Sequence, residues 1–308
     1  MDMKDFAYLI ALAEEGSVSK AAERLFMAQS SLSQFLQQFE SELKVRLFIR
    51  TSKGIRPTQN GAVFIEHLRQ LTDAYQQAKT ELWDNENMKG GRVAFGISSF
   101  RGQRMLPKIL SRFAEKYPDV TVDVTEEHSL KLEDTLLEGR LDAAIVAMPA
   151  AKLKNEISFL MKDEVYIAAP KGHPVMQRAR PRKNGAGHWI ELKDAEQHNF
   201  ILSYHDTMLG NISRSLFQKH KLKYTASHEN ISAAMSVAMA REGLGLAFTY
   251  ASCVEPSERL ELLRIGREGV FLDLGLALPS REYHSRAAAA LAEVVREIYT
   301  EESRLMEA

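Results

Sequence analysis

The chain has 308 residues, 45% of them hydrophobic and 26% charged, with a formal net charge of −1, so its length suits two or more domains and its composition excludes a disordered or fibrous protein. A single cysteine, Cys253, excludes an intrachain disulfide and fits a reducing cytoplasm. No basic start leads into an apolar core, so no secretory signal is expected, and no apolar run reaches the roughly eighteen residues of a membrane span.

In chain order, Phe6, Leu9, Ile10 and Leu12 predict an amphipathic helix that stops at Gly16, with Ser17 as N-cap of the next one. The run Val18-Ser-Lys-Ala-Ala-Glu-Arg-Leu-Phe-Met-Ala-Gln-Ser-Ser-Leu-Ser-Gln-Phe reads as two short helices joined by a tight turn. Ala21, Ala22 and Leu25 give the first helix an apolar face; Leu32, Phe35 and Phe39 give the second a buried stripe. The opposite side of the second helix carries Gln29, Ser30, Ser33, Gln34 and Gln37. A helix held by its apolar side and offering Gln and Ser outward suits the DNA major groove. An ordinary helical hairpin inside a larger core is the plainer alternative, and Phe26 stands at the turn where a helix-turn-helix usually has glycine.

Residues 47–50 and 55–57 read as the strands of a small wing around Ser52-Lys53-Gly54. Between Ser17 and Thr58 there are seven cations (Lys20, Arg24, Lys44, Arg46, Arg50, Lys53, Arg56) and three anions (Glu23, Glu40, Glu42), a net of +4 in a chain whose remainder carries −5. Positive charge is thus concentrated where phosphates would lie. From Gln59 to about Asn85 the pattern predicts one long helix. Phe64, Leu68, Leu71, Tyr75, Ala78 and Leu82, spaced 4, 3, 4, 3, 4, form a heptad seam that calls for a second copy or for the helix's own domain. Asn85-Glu-Asn-Met-Lys-Gly-Gly-Arg reads as a hinge.

Beyond it, expected strands at 93–97, 120–124 and 143–147 alternate with helices marked by Leu106, Ile109, Leu110 and Phe113 and by residues 130–137. A second run alternates strands at 165–169, 200–203, 224–227 and 244–248 with helices at 212–220 and 231–241. Residues 177–187 read as a surface loop, 271–278 as a late strand and 283–302 as a closing helix. The expectation is two similar α/β lobes with mostly parallel strands, the chain returning to the first lobe at its end.

In such sheets ligands bind beyond the carboxyl ends of the strands. Hydroxyls recur there: Ser98 and Ser99, Ser129, Ser203 and Thr249, with Arg101, His128 and His205 near enough in sequence to add charge, and Tyr204 and Phe248 beside them. They suggest a cleft for a small, anionic molecule; the alternative is that each hydroxyl caps a helix. Enzymatic motifs are weak. Gly96-Ile-Ser-Ser-Phe lacks the last glycine of a nucleophile elbow, Gly243-Leu-Gly-Leu-Ala follows a helix instead of opening one, and the nine histidines show no metal spacing. No catalytic residue, metal or cofactor is expected.

The whole chain resembles the LysR-type transcriptional regulators. The resemblance rests on Gly16-Ser-Val-Ser-Lys-Ala-Ala-Glu-Arg-Leu with Gln29-Ser-Ser-Leu-Ser-Gln, on Glu40-Ser-Glu-Leu-Lys-Val-Arg-Leu-Phe-Ile-Arg-Thr and on Pro57-Thr-Gln-Asn-Gly. Weaker signposts are Leu106-Pro107, Tyr117-Pro118, Gly139-Arg-Leu-Asp142 and Gly243-Leu-Gly245. It implies an α+β multidomain protein: a winged helix-turn-helix (1–58), a linker helix and hinge for dimerisation (59–90), and a two-lobed α/β effector-binding module (91–308) similar to type 2 periplasmic binding proteins. Lobe I would span 91–162 and 269–308, and lobe II 163–268. The resemblance also implies a metabolite-responsive activator or repressor, a homodimer assembling to a homotetramer, and RNA polymerase as a partner. The family's DNA contacts carry over to Gln29, Ser30, Ser31, Ser33, Gln34, Arg50 and Lys53, and its effector positions to Ser99, Ser129 and 203–205. A solute-binding protein or an enzyme on the α/β module are the competing readings.

Overall fold

The computed structural model describes residues 3–52, 54–85, 91–153, 157–182, 187–254, 259–279 and 285–307. The chain divides into two compact units, Met1–Leu82 and Trp83–Ala308.

In the first unit, α1 (Met3–Glu15) buries Phe6, Leu9, Ala11 and Leu12 and stops at Gly16, whose φ of +57° lies in the left-handed region. Ser17 caps α2 (Val18–Arg24) by accepting from the Lys20 amide, and α2 buries Ala21 and Ala22. The turn carries Phe26 at φ +53° with its side chain 97% exposed. The following α3 (Gln29–Leu43) buries Leu32, Leu36 and Phe39. Leu36 takes the fully buried place that the spacing gave to Phe35; Phe35 is half-buried, its ring edge-on to Tyr8 at 5.1 Å.

The wing is an antiparallel pair, β1 (Phe48–Thr51) and β2 (Gly54–Pro57). Glu40 on α3 fixes its root by accepting from the amides of Leu47 (2.7 Å) and Phe48 (2.9 Å). Its far side is fixed by Ile55, whose amide donates to the Gly16 carbonyl at 2.9 Å. A Cβ on Gly54 would stand 2.2 Å from that carbonyl oxygen, so only glycine lets the wing approach so closely.

The long helix α4 (Gln59–Asn85) begins against the wing, with Gly61 seated so near the Leu47 carbonyl that a Cβ would stand 1.9 Å from its oxygen. The expected seam is divided. Leu68 is buried and Phe64 half-buried in the core of the winged unit, with Phe64 6.1 Å from Phe39, and Ile65, outside the heptad, is buried there too. Leu71 (54% exposed), Tyr75 (50%) and Ala78 face outward. The Leu82 side chain lies outside the described residues. The first half of the stripe is therefore spent inside its own unit, whereas Leu71, Tyr75 and Ala78 of the second half are exposed.

The second unit runs β3 (Gly91–Ile97), α5 (Ser99–Lys116), β4 (Val120–Glu126), α6 (Ser129–Leu137), β5 (Ala143–Met148), β6 (Ile157–Pro170), β7 (Arg180–Pro181), β8 (His188–Ile190), α7 (Leu192–Ala195), β9 (Asn199–Ser203), α8 (Met208–Lys219), β10 (Thr225–Ile231), α9 (Ala233–Arg241), β11 (Leu246–Tyr250), β12 (Leu260–Ile265), β13 (Val270–Ala277) and α10 (Arg286–Glu307). One sheet runs in the order β10-β9-β11-β6-β13-β5-β3-β4, with β12, β8 and β7 off that path. β3 pairs parallel with β4 and β5, and β9 pairs parallel with β10 and β11.

Between these two parallel groups stand the long antiparallel strands β6 and β13. β6 pairs with β13 from Ile157 to Val165, then takes β11 from Val165 and β12 from Tyr166. That change of partners marks where one lobe gives way to the other. α10 returns to α5, held by Arg112–Glu301 at 2.7 Å and Lys116–Glu297 at 2.9 Å. The apolar pattern supports a strand only over 165–169 here, because Lys162-Asp-Glu interrupts the run; in the structure Asp163 and Glu164 are buried in the strand and paired. β8, α7 and β12 have no counterpart among the expected elements, and the expected loop at 177–187 contains β7.

Leu68→Ala should cost about 2–5 kcal/mol by leaving a cavity. Leu71→Ala, at an exposed position, should leave the unit's own fold intact to within about 0.5 kcal/mol. Denaturant titration separates the two; equal destabilisation contradicts the division of the stripe.

Candidate nucleic-acid and effector sites

On α3, Gln29, Ser30, Ser31, Gln34 and Gln37 are exposed and Ser33 is half-exposed. The buried side of the same helix fixes its rotation, so these amides and hydroxyls form one outward, uncharged hydrogen-bonding face. Gln29 Oε1 accepts from the Ser19 hydroxyl at 3.0 Å, which ties the start of α3 to α2. Arg50 on β1 and Arg56 on β2 are exposed beside the wing turn, and Lys53 lies outside the described residues. Arg24 belongs to a different group. It donates to Glu14 (2.8 Å) and Glu15 (3.1 Å), both outside the stretch whose charge was summed, and these partners hold its pKa above the ordinary value despite some burial. Its charge is answered within the unit, whereas Lys20, Lys44, Arg46, Arg50 and Arg56 are exposed, the last two on the wing.

In the second unit the predicted effector residues separate into two sets. Ser98 is the N-cap of α5 but makes no side-chain capping bond, and Ser99 is exposed at the first position of that helix. Tyr204 is 46% exposed and His205 is exposed, its Nδ1 3.3 Å from Asn230 Oδ1. These four stand at the carboxyl ends of β3 and β9 with accessible polar atoms. His128, not Ser129, is the N-cap of α6, its Nδ1 accepting from Lys131 N at 3.4 Å. Ser129 Oγ accepts from the Ala147 amide at 2.9 Å, pinning α6 to β5.

The rest are corrections. Phe248 (2% exposed) stacks on Phe200 at 5.6 Å and meets Phe217 edge-on at 5.9 Å, so it is core. Thr249 is fully buried, and Ser203 is 4% exposed. A hydroxyl in the closing residues of a central strand is covered by the helices packed on the sheet faces, here α8 and α9, which sequence position alone does not reveal.

Arg101 is also removed from the ligand set. Its side chain is 6% exposed and Nη1 donates to Asp163, whose side chain is 0% exposed, and to Ser252 Oγ at 2.9 Å. Ser252 in turn donates to Asp163 through its amide (3.0 Å) and hydroxyl (2.5 Å). The guanidinium lies 4.1 Å from the Tyr250 ring centroid. Burial opposes the Arg101 charge most strongly, but Asp163 together with the nearby Cys253, Tyr250 and Tyr299 raises the pKa above the ordinary value. Burial pushes the neighbouring Cys253 thiol up to about 11, so it is protonated at neutral pH and a poor nucleophile. Sequence reasoning missed this group because Asp163 and Ser252 lie 62 and 151 residues from Arg101; an acidic pair inside an apolar run was the only local signal. The contact does place the first turn of α5, after β3, against the turn that follows β11, so the strand ends of the two lobes face one another.

Two cavities lie elsewhere. One of about 590 Å³ is lined by Arg180, Lys193, Lys219 and the 265–270 turn; another of about 410 Å³ lies between α5 and α10. Neither is lined by the predicted effector residues.

Two family sequence models match the chain: "Bacterial regulatory helix-turn-helix protein, lysR family" over residues 3–62, and "LysR substrate binding domain" over residues 86–299. The chain belongs to the LysR family of transcriptional regulators. As a LysR-type protein it is a DNA-binding regulator with an effector-binding domain, in a family of regulators and not of enzymes. A probable RuBisCO transcriptional regulator of Trieres chinensis is 27% identical over 267 residues, 85% of each chain. The uncharacterized HTH-type regulator YcgK of Bacillus subtilis is 30% identical over 171 residues, 56% of this chain and 53% of that protein. Among solved structures, full-length CbnR complexed with its target DNA superposes with a TM-score of 0.66 at 19% identity, covering 97% of this chain and 100% of that one. Full-length BenM gives 0.56 at 21% identity and 98% of each chain. At these identities the likeness shows the fold.

Arg101→Met in this LysR-family protein should lower stability by about 3–5 kcal/mol without any ligand present, because it leaves Asp163 buried and unpaired. Thermal unfolding of the ligand-free protein checks this. An unchanged midpoint would return Arg101 to the ligand set.

Proposed function

We propose that the chain binds promoter DNA as a dimer through two copies of α3 and the wing, and alters that binding or bending when a small anionic metabolite enters the cleft between the lobes. The observation that carries the DNA reading is the outward row of Gln29, Ser30, Ser31, Ser33, Gln34 and Gln37 on a helix whose other side is buried. Gln29 and Gln34 reach base edges, since a carboxamide offers paired donor and acceptor to adenine. Ser30, Ser31, Ser33, Arg50 and Lys53 hold the backbone.

In this reading residues 1–58 are the reader, 59–90 the linker and hinge, and 91–308 the sensor, with lobe I at 91–162 and 269–308 and lobe II at 163–268. The exposed Leu71, Tyr75 and Ala78 pair with the same residues of a second copy, and two dimers make the tetramer. The regulator works in the cytoplasm, and RNA polymerase is the partner on which activation or repression acts. No helix among the described residues is long and apolar enough to cross a membrane.

The cleft is assigned to Ser98, Ser99, His128, Tyr204 and His205, at strand ends and at the free amides of the α5 N-terminus, which favour an anion. The effector domain of QuiR, solved in complex with shikimate, matches with a TM-score of 0.56 at 16% identity over 69% of this chain and 98% of that one, which is consistent with a carboxylate of that size. Effector acts by preferring one of two subunit arrangements; a ligand that bound both equally would shift nothing.

The test is anisotropy on duplexes from the region flanking the gene. Gln34→Ala should relax sequence preference. Arg50→Ala or Lys53→Ala should weaken all sequences alike and lower the log–log salt slope by roughly 0.9. Indistinguishable profiles for the two classes would refute the assignment of roles. For the cleft, a thermal-shift panel of carboxylates on the full chain should yield a stabiliser whose effect Ser99→Ala removes; an undiminished shift would place the ligand elsewhere.

A further inference from the structure

We propose that Arg101, Asp163 and Ser252 form a latch that sets the angle between the two lobes and aims the N-terminus of α5 at the cleft. The inference goes beyond the regulator reading and holds whichever ligand the cleft takes. Each member comes from a different part of the junction. Arg101 is in the first turn of α5, which belongs to the β3–β4–β5 lobe. Asp163 lies on β6 opposite Leu272 of β13, two residues before β6 takes Tyr250 of β11 as a partner. Ser252 stands in the turn directly after β11, in the other lobe.

The apolar core runs without a break across this junction, from Phe95, Ile109 and Phe113 to Phe200, Phe217 and Phe248. Apolar packing is non-directional and tolerates small rotations of one layer over another. A buried ion pair is different. Its desolvation cost makes it a weak source of stability next to an apolar filling of the same space, but it has one geometry. Here Asp163 receives three donors, two from Ser252 and one from Arg101, and Arg101 also bonds the Ser252 hydroxyl and lies on the Tyr250 ring. Rotating the lobes at β6 breaks the triangle at a side chain that water does not reach. Ser98 and Ser99 lie three and two residues before Arg101 at the start of the same helix, so the same triangle fixes where their hydroxyls and the free amides of α5 point. Arg101 is thus a positioning residue.

Arg101→Met strands a buried charge, so the informative variant is Ser252→Ala, which leaves the ion pair and removes the cross-lobe hydroxyl. Hydrogen exchange of the full-length protein should show protection falling by roughly tenfold at residues 102–105 of α5 and around Asp163, with α6 and α8 unchanged. Three results overturn the proposal: unchanged exchange throughout, a loss confined to residues 251–254, or a uniform loss across both lobes. The second would make Ser252 a brace for its own turn, and the third an ordinary core contact.

Discussion

The burial of Leu32, Leu36 and Phe39 on one side of α3 is the constraint from which the function of this protein follows. A helix has no preferred rotation in isolation; its packed side decides which residues water and partners meet. Once those three side chains enter the core of the winged unit, with Leu9, Leu12, Ala21 and Leu68 around them, the Gln and Ser residues have nowhere to go but outward. Glu40 extends the same logic to the wing by holding the amides at the root of β1. Reader and wing are therefore one rigid piece, and α4 is part of it as far as Leu68.

The sensor module depends on a different device. Two long strands, β6 and β13, stand between the parallel groups, and β6 exchanges partners at Val165. The acidic residues just before that point are both buried and turn to different partners. Asp163 meets Arg101 and Ser252, while Glu164 meets Arg264 and accepts from Tyr166 at 2.8 Å. The junction between lobes is thus charged and directional where a plain core would be greasy and permissive.

Much of this was legible. The three-helix start, the glycine stop at Gly16, the Ser17 cap and the wing follow from local rules of periodicity and capping, and the family motifs sit in that stretch. The alternation of strands and helices in the second unit was equally readable, since each element spends a regular apolar face. What escaped were features set by distant residues. Charged residues inside β6 looked like an interruption because their partners on α5, on β12 and after β11 are far along the chain. Thr249 and Ser203 looked available because sequence shows that they end strands and not that those strands are central. Leu68 looked like half of a dimer seam because the heptad spacing does not say which helix fills it.

Hydroxyl-radical footprinting of the full-length protein on DNA flanking its gene tests the central claim most directly. The account predicts two protected tracts related by a dyad, spaced by about 10 base pairs or a multiple, and their loss in the triple variant Gln29→Ala, Ser33→Ala, Gln34→Ala at an unchanged melting temperature. A footprint that survives those three changes, or none at any salt concentration for the unaltered protein, would contradict it.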